Sequence, residues 1–249
     1  MRSLLLCSLL ILLTAAERQA CAQTLPGYKP NFVQKKSDAP VKRVDIYVSP
    51  YYEAAQTPDA APRVAVHPQL DGLLASGSRA DIVRVRDTIR GAPASVTPMT
   101  MMVLAIRLYD VGLRDDAVFW FYAAKDRYIA LSAVLDVKSP ALAQVDDAMH
   151  AFVSTAGPFF KSYAFCDIGK QQKIARDAVD WVEKNPYEAT FAQQLPAKPG
   201  DREANLKTAI ALLRSNAQKE KAYFSDPKTV QEFNAKRAQN DVPAQFCWQ

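Results

Sequence analysis

The sequence lacks any motif that would identify a catalytic or metal site. It has only two histidines, His67 and His150, and neither has another histidine or a cysteine close by in the chain, as a zinc site would require. It has no Gly-x-Ser-x-Gly elbow of the esterase kind and no glycine-rich loop that could hold a phosphate. We therefore expect no cofactor and no metal, and we assign no catalytic residue.

Glycine is also scarce, and the excess of positive over negative charge is small. Eight glycines stand against 16 prolines in 249 residues, a balance that favours helices separated by proline-rich breaks. The formal net charge of +5 is too small to indicate a nucleic-acid partner. Hydrophobic residues make up 49% of the chain, which is typical of a globular protein. After the N-terminus no apolar run is long enough to predict a membrane anchor.

The N-terminus has the pattern of a secretory signal peptide. Arg2 precedes an apolar run over residues 4–13, and Ala20 and Ala22 place small residues at a cleavage site before Gln23. Ten residues are too few to span a bilayer as a helix. We expect cleavage near Ala22 and a periplasmic or secreted product.

Two other ways of processing this N-terminus are open. Cleavage after Ala16 would retain Cys21 as an odd thiol. Cys21 could also carry a lipid, although Arg18 stands where a lipoprotein signal has an aliphatic residue.

Cysteine is rare enough for a pairing to be predicted. Of the four cysteines, Cys7 and Cys21 lie in the predicted signal peptide, which leaves Cys166 and Cys247. An even pair in an oxidising compartment predicts a disulfide bond that ties the C-terminal tail to the body. The alternative is two unrelated buried thiols.

We divide the chain into three segments. Residues 1–22 are the predicted signal peptide, residues 23–68 a proline-rich irregular arm, and residues 69–249 a helical domain. Inside the arm, apolar residues alternate over 44–48, which predicts one strand, with residues 63–67 as its partner.

The helical domain carries several helix-capping signals. We expect helices to begin after Ser78, Thr97, Ser139, Asp201 and Asp226. Further helices are predicted over residues 113–135 and 167–184, with a break at 157–158, where glycine precedes proline. The fold class is therefore all-α, built of antiparallel helical hairpins, with one short strand pair in the arm.

One hairpin, residues 101–128, has a recognisable pattern. Small and apolar residues face each other across a glycine turn, and an aromatic residue fills the groove between the helices; the positions are Leu104, Ala105, Leu108, Gly112, Ala117, Phe121 and Ala124. This stretch resembles a single tetratricopeptide-type repeat. The resemblance implies a helical hairpin that binds protein; the alternative is a generic hairpin of two packed helices.

Four consecutive aromatics follow the turn, at residues 119–122. They cover most of a helix circumference, which predicts a central core helix. Alternatively, Trp120 or Tyr122 lies at a groove and anchors a partner. We also select Arg107 and Arg114, which flank the turn and fall off the apolar stripe, as candidate interaction residues.

These observations favour binding over catalysis. We expect an exported helical module that holds another protein of the cell envelope, as an envelope adaptor or as an immunity protein against a toxin. The alternative is a periplasmic hydrolase whose carboxylates cannot be identified from one chain. A shallow groove with exposed aromatics would favour the binder, and a deep pocket with two close carboxylates would favour the enzyme.

Overall fold

Helices dominate the computed structural model, which describes residues 40–53, 55, 57 and 62–248. The signal peptide and the first part of the arm lie outside these residues. The described part contains nine α-helices: α1 (Asp71–Ala75), α2 (Arg79–Gly91), α3 (Pro98–Asp110), α4 (Arg114–Val134), α5 (Ala143–Ala164), α6 (Ile168–Lys184), α7 (Arg202–Tyr223), α8 (Pro227–Gln239) and α9 (Val242–Phe246). The all-α prediction is confirmed.

Side-chain caps begin most of the long helices where the sequence predicts them. Ser78 accepts a hydrogen bond from the Asp81 backbone N–H at the start of α2, and Thr97 accepts one from Thr100 at the start of α3. The same arrangement opens three later helices, with caps at Asp167, Asp201 and Asp226. Each cap satisfies a backbone donor that the first helical turn leaves free.

Two features of α5 differ from the prediction. The helix begins at Ala143 rather than just after Ser139, and it runs through Pro158 without a break. Gly157 is buried, and a Cβ there would lie 3.6 Å from Cζ of Phe121, so this glycine allows α5 to approach α4 closely. Pro158 faces solvent, and Phe160 stacks on Phe121 with ring centroids 4.6 Å apart. Packing on both sides of the proline therefore keeps the helix continuous.

The predicted strand over residues 44–48 is wrong, although its alternation is real. Val44, Ile46 and Val48 are all buried. Asp45, however, has a φ of 34°, which interrupts the extended backbone that a strand needs. The two-stranded antiparallel sheet instead joins β1 (Tyr52–Glu53) to β2 (Arg63–Val64), and Tyr52 pairs with Val64.

Helix α4 lies at the centre of the core. It packs against α3, α5, α6 and α7, and its contact with α3 is the most extensive between any two elements. Ala117, Trp120 and Phe121 are fully buried on α4. The turn from α3 to α4 is short, so the two helices run antiparallel. Gly112 closes α3 with a φ of 81°, the left-handed conformation predicted for it.

Across the described residues no helix combines the length and the apolar content that crossing a membrane requires.

Candidate functional site

The aromatic residues predicted as partner anchors lie in the interior. Trp120 is 0% exposed and Tyr122 is 6% exposed. Trp120 of α4 packs edge-on against Trp181 of α6, with ring centroids 5.2 Å apart. Burial supports the core-helix alternative for Trp120, because α4 is surrounded by four other helices. Tyr122 is also largely buried, but it lines a cleft described below, so its contact with a partner stays a prediction.

The two arginines selected from the sequence also have internal partners. Arg107 is only 9% exposed; its Nε donates to the Leu74 carbonyl at 2.9 Å, and its Nη1 donates to Asp110 at 3.1 Å. The guanidinium carbon of Arg114 lies 3.4 Å from the centre of the Trp248 ring, and its Nη1 donates to the Trp248 carbonyl. Both guanidinium groups have partners within the fold, so the expectation that replacing them would leave folding intact is wrong. Their role as interaction residues stays a prediction.

The predicted disulfide is confirmed. Cys166, just after α5, is bonded to Cys247, just after α9, with a Cα–Cα distance of 5.3 Å, inside the normal range for such a bond. Arg237 of α8 reaches both sulfurs and donates to the Ser162 carbonyl at 2.9 Å. The bond and the arginine together fasten the C-terminal tail to α5.

His150 lies beside Asp146 at the exposed surface of α5. Nδ1 of His150 lies 2.8 Å from the Asp146 carbonyl oxygen, and the imidazole is 68% exposed. The Asp146 carboxylate accepts hydrogen bonds from Tyr128 and Lys138. Burial alone would raise the pKa of Asp146, but these donors outweigh it and bring the pKa below its ordinary value. In the described part of the chain, no three side chains of metal-binding type come together.

A polar cleft between α4, α6 and α7 was not predicted from the sequence. Each helix contributes a stripe at helical spacing: Tyr122, Lys125, Asp126 and Ile129 from α4; Gln171, Ala175 and Val179 from α6; Leu213, Asn216, Ala217 and Glu220 from α7. We call this set the acidic cleft. Its signal in the sequence is that polar and apolar residues share the same stripe on each of the three helices.

Gln171 is the centre of the acidic cleft. It is only 1% exposed, and its Nε2 donates to the Tyr122 hydroxyl at 3.1 Å and to Glu220 Oε1 at 2.9 Å. Its Oε1 is buried, and no donor in the described residues reaches it. Lys125 Nζ lies 3.6 Å from Asp126 Oδ1 and 5.1 Å from the centre of the Tyr122 ring.

Burial shifts two pKa values in the acidic cleft. Desolvation raises the pKa of Asp126 to about 6, and nearby Lys125 offsets only part of this effect. Desolvation also raises the pKa of Tyr122 to about 12, which the hydrogen bond with Gln171 partly opposes and the charges of Glu220 and Asp126 reinforce.

A second cleft adjoins the acidic cleft and has the opposite charge. Arg176, Arg214, Gln218 and Lys221 line it, and it shares Val179 and Ala217 with the acidic cleft. Arg214 is paired with Asp180 and Glu183 of α6. The acidic cleft has a volume of ≈ 150 Å³ and the second cleft ≈ 260 Å³. Both are smaller than the roughly 300–1,000 Å³ typical of small-molecule sites, and they fit single side chains better than whole ligands.

Helix α7 carries two exposed apolar side chains. Leu212 is 53% exposed and Tyr223 is 61% exposed, and they are the large hydrophobic residues that stand out from the described surface. They are 11 positions apart on α7, about three helical turns, so they share one face. Asn216, one turn after Leu212, lies between them and lines the acidic cleft. We call Leu212, Asn216 and Tyr223 the α7 face.

Comparison with known proteins identifies a relative of this chain but does not indicate an activity for it. No family model matches the chain, and no solved structure matches it significantly. A protein of Haemophilus influenzae, described as uncharacterised, is 38% identical over 212 residues, which is 85% of this chain and 81% of that protein. Identity at this level over most of both chains shows common descent and a common fold. The chain therefore belongs to the same family as this H. influenzae protein.

Proposed function

We propose that this protein is exported and binds another protein of the cell envelope through the α7 face. The observation that carries the proposal is the position of Leu212 and Tyr223, two exposed apolar side chains on one face of one helix, which they share with Asn216 of the acidic cleft. Single exposed apolar residues are ordinary on a protein surface, but aligned ones beside recesses of side-chain size are typical of a binding surface.

Two observations support export. The signal-peptide pattern of residues 1–22 directs a chain across the inner membrane and is then removed. The bond between Cys166 and Cys247 is of a kind that persists in the periplasm or outside the cell and is rare in the cytosol. The proposed location is the periplasm, and the proposed roles are envelope adaptor or immunity protein against a delivered toxin.

The resemblance of residues 101–128 to a tetratricopeptide-type hairpin supports binding in general terms. α3 and α4 pack closely, and the small residues Ala105, Ala117 and Ala124 are fully buried where the helices meet. Helix α4 of this hairpin packs against α6 and α7, so in our proposal it supports the binding surface from beneath.

The alternative, a carboxylate-based hydrolase, has one observation in its favour. Asp126 has a pKa near 6, a value suited to a general acid, and Glu220 lies in the same cleft. Against it, Glu220 is engaged by Gln171, and a cleft of ≈ 150 Å³ has little room for a substrate beside both carboxylates. A hydrolytic activity that Asp126→Asn abolishes would establish this alternative in place of binding.

Partner capture tests the proposal. The protein would be fixed through a C-terminal tag and exposed to envelope extract, and the retained proteins would be identified by mass spectrometry. We expect one specific partner, lost with Leu212→Lys and with Tyr223→Lys. Gln231→Lys, an exposed change on α8, is the matched control and should retain the partner. Capture that is equally strong in all four proteins would show that the α7 face is not the binding surface.

A further inference from the structure

The acidic cleft has a surplus of hydrogen-bond acceptors. Asp126 and Glu220 each supply a carboxylate, and Gln171 supplies an amide oxygen that lacks a donor in the described residues. Buried polar atoms in folded proteins nearly always have a partner, so an unpaired amide oxygen at 1% residue exposure calls for one. The missing group is therefore a donor.

The orientation of the Gln171 amide is determined by its neighbour. Nε2 lies 2.9 Å from Glu220 Oε1, an oxygen that only accepts when the carboxyl group is ionised. Exchanging the amide nitrogen and oxygen would place two acceptors against each other. Oε1 is therefore the free atom, and the cleft needs an added N–H or O–H group.

The net charge of the acidic cleft indicates that the donor is a cation. The cleft contains two carboxylates, Asp126 and Glu220, and one ammonium group, on Lys125, so one negative charge is left uncompensated. Lys125 lies 3.6 Å from Asp126, longer than a hydrogen bond, and its side chain is 32% exposed. A cation that donates several hydrogen bonds fits this environment, and an anion would be repelled.

The remaining residues of the acidic cleft are apolar and can pack against the methylene groups of a side chain. Ile129, Ala175, Val179 and Leu213 line the cleft beside the polar groups. Lysine and arginine side chains place their methylene groups along apolar surface and direct their charge to a polar group. A volume of ≈ 150 Å³ matches one such side chain rather than a larger molecule.

We propose that the acidic cleft binds one lysine or arginine side chain of the partner protein, with Gln171 Oε1 and the Asp126 and Glu220 carboxylates as its acceptors. The identification of the side chain as a partner's rests on the proposed function; the recognition of a cation does not. The α7 face would contact the partner beside that side chain, since Asn216 belongs to both surfaces.

Nuclear magnetic resonance with side-chain mimics tests cation recognition directly. The probes are N-acetyl-lysine N-methylamide, N-acetyl-arginine N-methylamide and the neutral N-acetyl-norleucine N-methylamide, added to isotope-labelled protein purified after expression of the full-length gene. We expect saturable shifts of the Gln171 and Asn216 side-chain amides with the two cationic probes, at millimolar affinity, and none with norleucine. Equal shifts with norleucine, or no shift at saturating probe, would overturn the proposal.

Two variants and a control locate the binding. Asp126→Asn and Glu220→Gln should each weaken binding of the cationic probes by about tenfold or more, because each removes a charged acceptor. Glu232→Gln, an exposed carboxylate on α8 that pairs with Lys228, should leave it unchanged. Circular dichroism would verify that each variant is folded. Unchanged affinity in both cleft variants would overturn the assignment.

A further arm separates a partner's side chain from a free amine. Putrescine and agmatine carry the same cations without a peptide. If they bind at least tenfold more tightly than the lysine and arginine mimics, the cleft is a small-amine site and the side-chain assignment is wrong. Mimic binding without partner capture would contradict the proposed function alone, and partner capture without mimic binding would contradict this inference alone.

Discussion

Arg127 connects two loops, the one between α2 and α3 and the one after α6, through backbone carbonyls rather than through a carboxylate. It is 1% exposed; its Nη1 donates to the Pro93 and Val96 carbonyls and its Nη2 to the Asn185 carbonyl, at 2.7 to 2.8 Å. The guanidinium also lies 4.7 Å from the Trp181 ring centre. Burial lowers its pKa to about 10, so it remains charged at neutral pH.

Replacing Arg127 should therefore be costly. Arg127→Ala leaves three carbonyls, that of Val96 in a buried hydrogen bond, without their charged donor, and we expect the free energy of unfolding to fall by about 3 kcal/mol. Urea unfolding followed by circular dichroism would measure it. Arg84→Ala, whose side chain is 65% exposed, is the control and should stay within about 0.5 kcal/mol of the wild type. Equal losses in both variants would contradict this role.

Asp126 should make stability depend on pH in the direction opposite to ordinary acid unfolding. Its folded pKa, about 6, lies above its usual value of 3.8, so between these values the folded state holds a proton that the unfolded state releases. The stability contributed by this proton is complete below about pH 4 and is lost as the pH rises through about 6.

Asp126→Asn removes this titration. At pH 7.5 the variant should be more stable than the wild type by about 2 kcal/mol, and the gain should vanish near pH 4. Urea unfolding at both pH values measures the difference. Asp177→Asn on α6, where the carboxylate is 45% exposed and paired with Lys173, should show no such pH-dependent gain. A gain of the same size at both pH values would show that burial of the charge is not its cause.

At the scale of elements, the turn between α3 and α4 depends on Gly112. Its φ of 81° is a conformation that residues with a Cβ resist, and a Cβ there would meet nothing within 4 Å. The cost of substitution is therefore backbone strain rather than collision.

Gly112→Val should lower the free energy of unfolding by at least about 1–2 kcal/mol, and Gly112→Asn by clearly less, because asparagine tolerates the left-handed region. Gly91→Ala is the control: Gly91 also has open space around it but no positive φ, so its replacement should be neutral or slightly stabilising. Thermal melting would compare the three variants. Wild-type melting of Gly112→Val would exclude the turn described here.

The C-terminal tail is an element fastened by covalent and polar contacts together. Besides the disulfide, the Val41 N–H donates to the Gln245 carbonyl at 2.8 Å, and Arg114 stacks on Trp248. The tail thus connects the N-terminal arm, α4 and α5.

Peptide mapping without reductant should recover Cys166 linked to Cys247. The double variant Cys166→Ser, Cys247→Ser should lose about 2–5 kcal/mol of stability, since the bond closes a loop over a sequence separation of 81. Reduced wild-type protein is the internal control and should show the same loss. Two free thiols in protein recovered from the periplasm would contradict the bond.

At the scale of the whole molecule, the arm and the helical body share one core. Asp110 of α3 accepts a hydrogen bond from the Val44 N–H at 2.8 Å, and the Tyr109 hydroxyl donates to the Val41 carbonyl at 3.3 Å. Val41, Val44, Ile46 and Val48 join the hydrophobic cluster of the helices. The described part of the arm is therefore a structural layer of the body.

Export is the prediction that concerns the whole chain. Expression of the full gene in a bacterium should give periplasmic protein that begins at Gln23. N-terminal sequencing of the osmotic-shock fraction would read this directly. Replacing Leu9 and Leu10 with charged residues should keep the protein inside the cell, since the apolar run would be interrupted. A sequence that starts at Met1 or at Cys21 would contradict cleavage after Ala22.

The local features of this protein were determined by its sequence alone. Capping residues such as Ser78, Thr97 and Asp226 predicted where helices begin, Gly112 predicted the turn, and two cysteines predicted the disulfide. These features depend on interactions within a few residues or on the small number of possible pairings, so a single chain is enough to predict them.

Only the tertiary structure decided which distant residues meet. Asp126, Gln171 and Glu220 lie on three helices and share a cleft because of how α6 and α7 pack on α4. Helical periodicity alone does not specify that packing. The same holds for Arg107. Its place in the sequence predicts a surface charge, but in the structure it donates hydrogen bonds to the Leu74 carbonyl and to Asp110. Burial and charge pairing arise from packing across the whole chain, so the site depends on the fold.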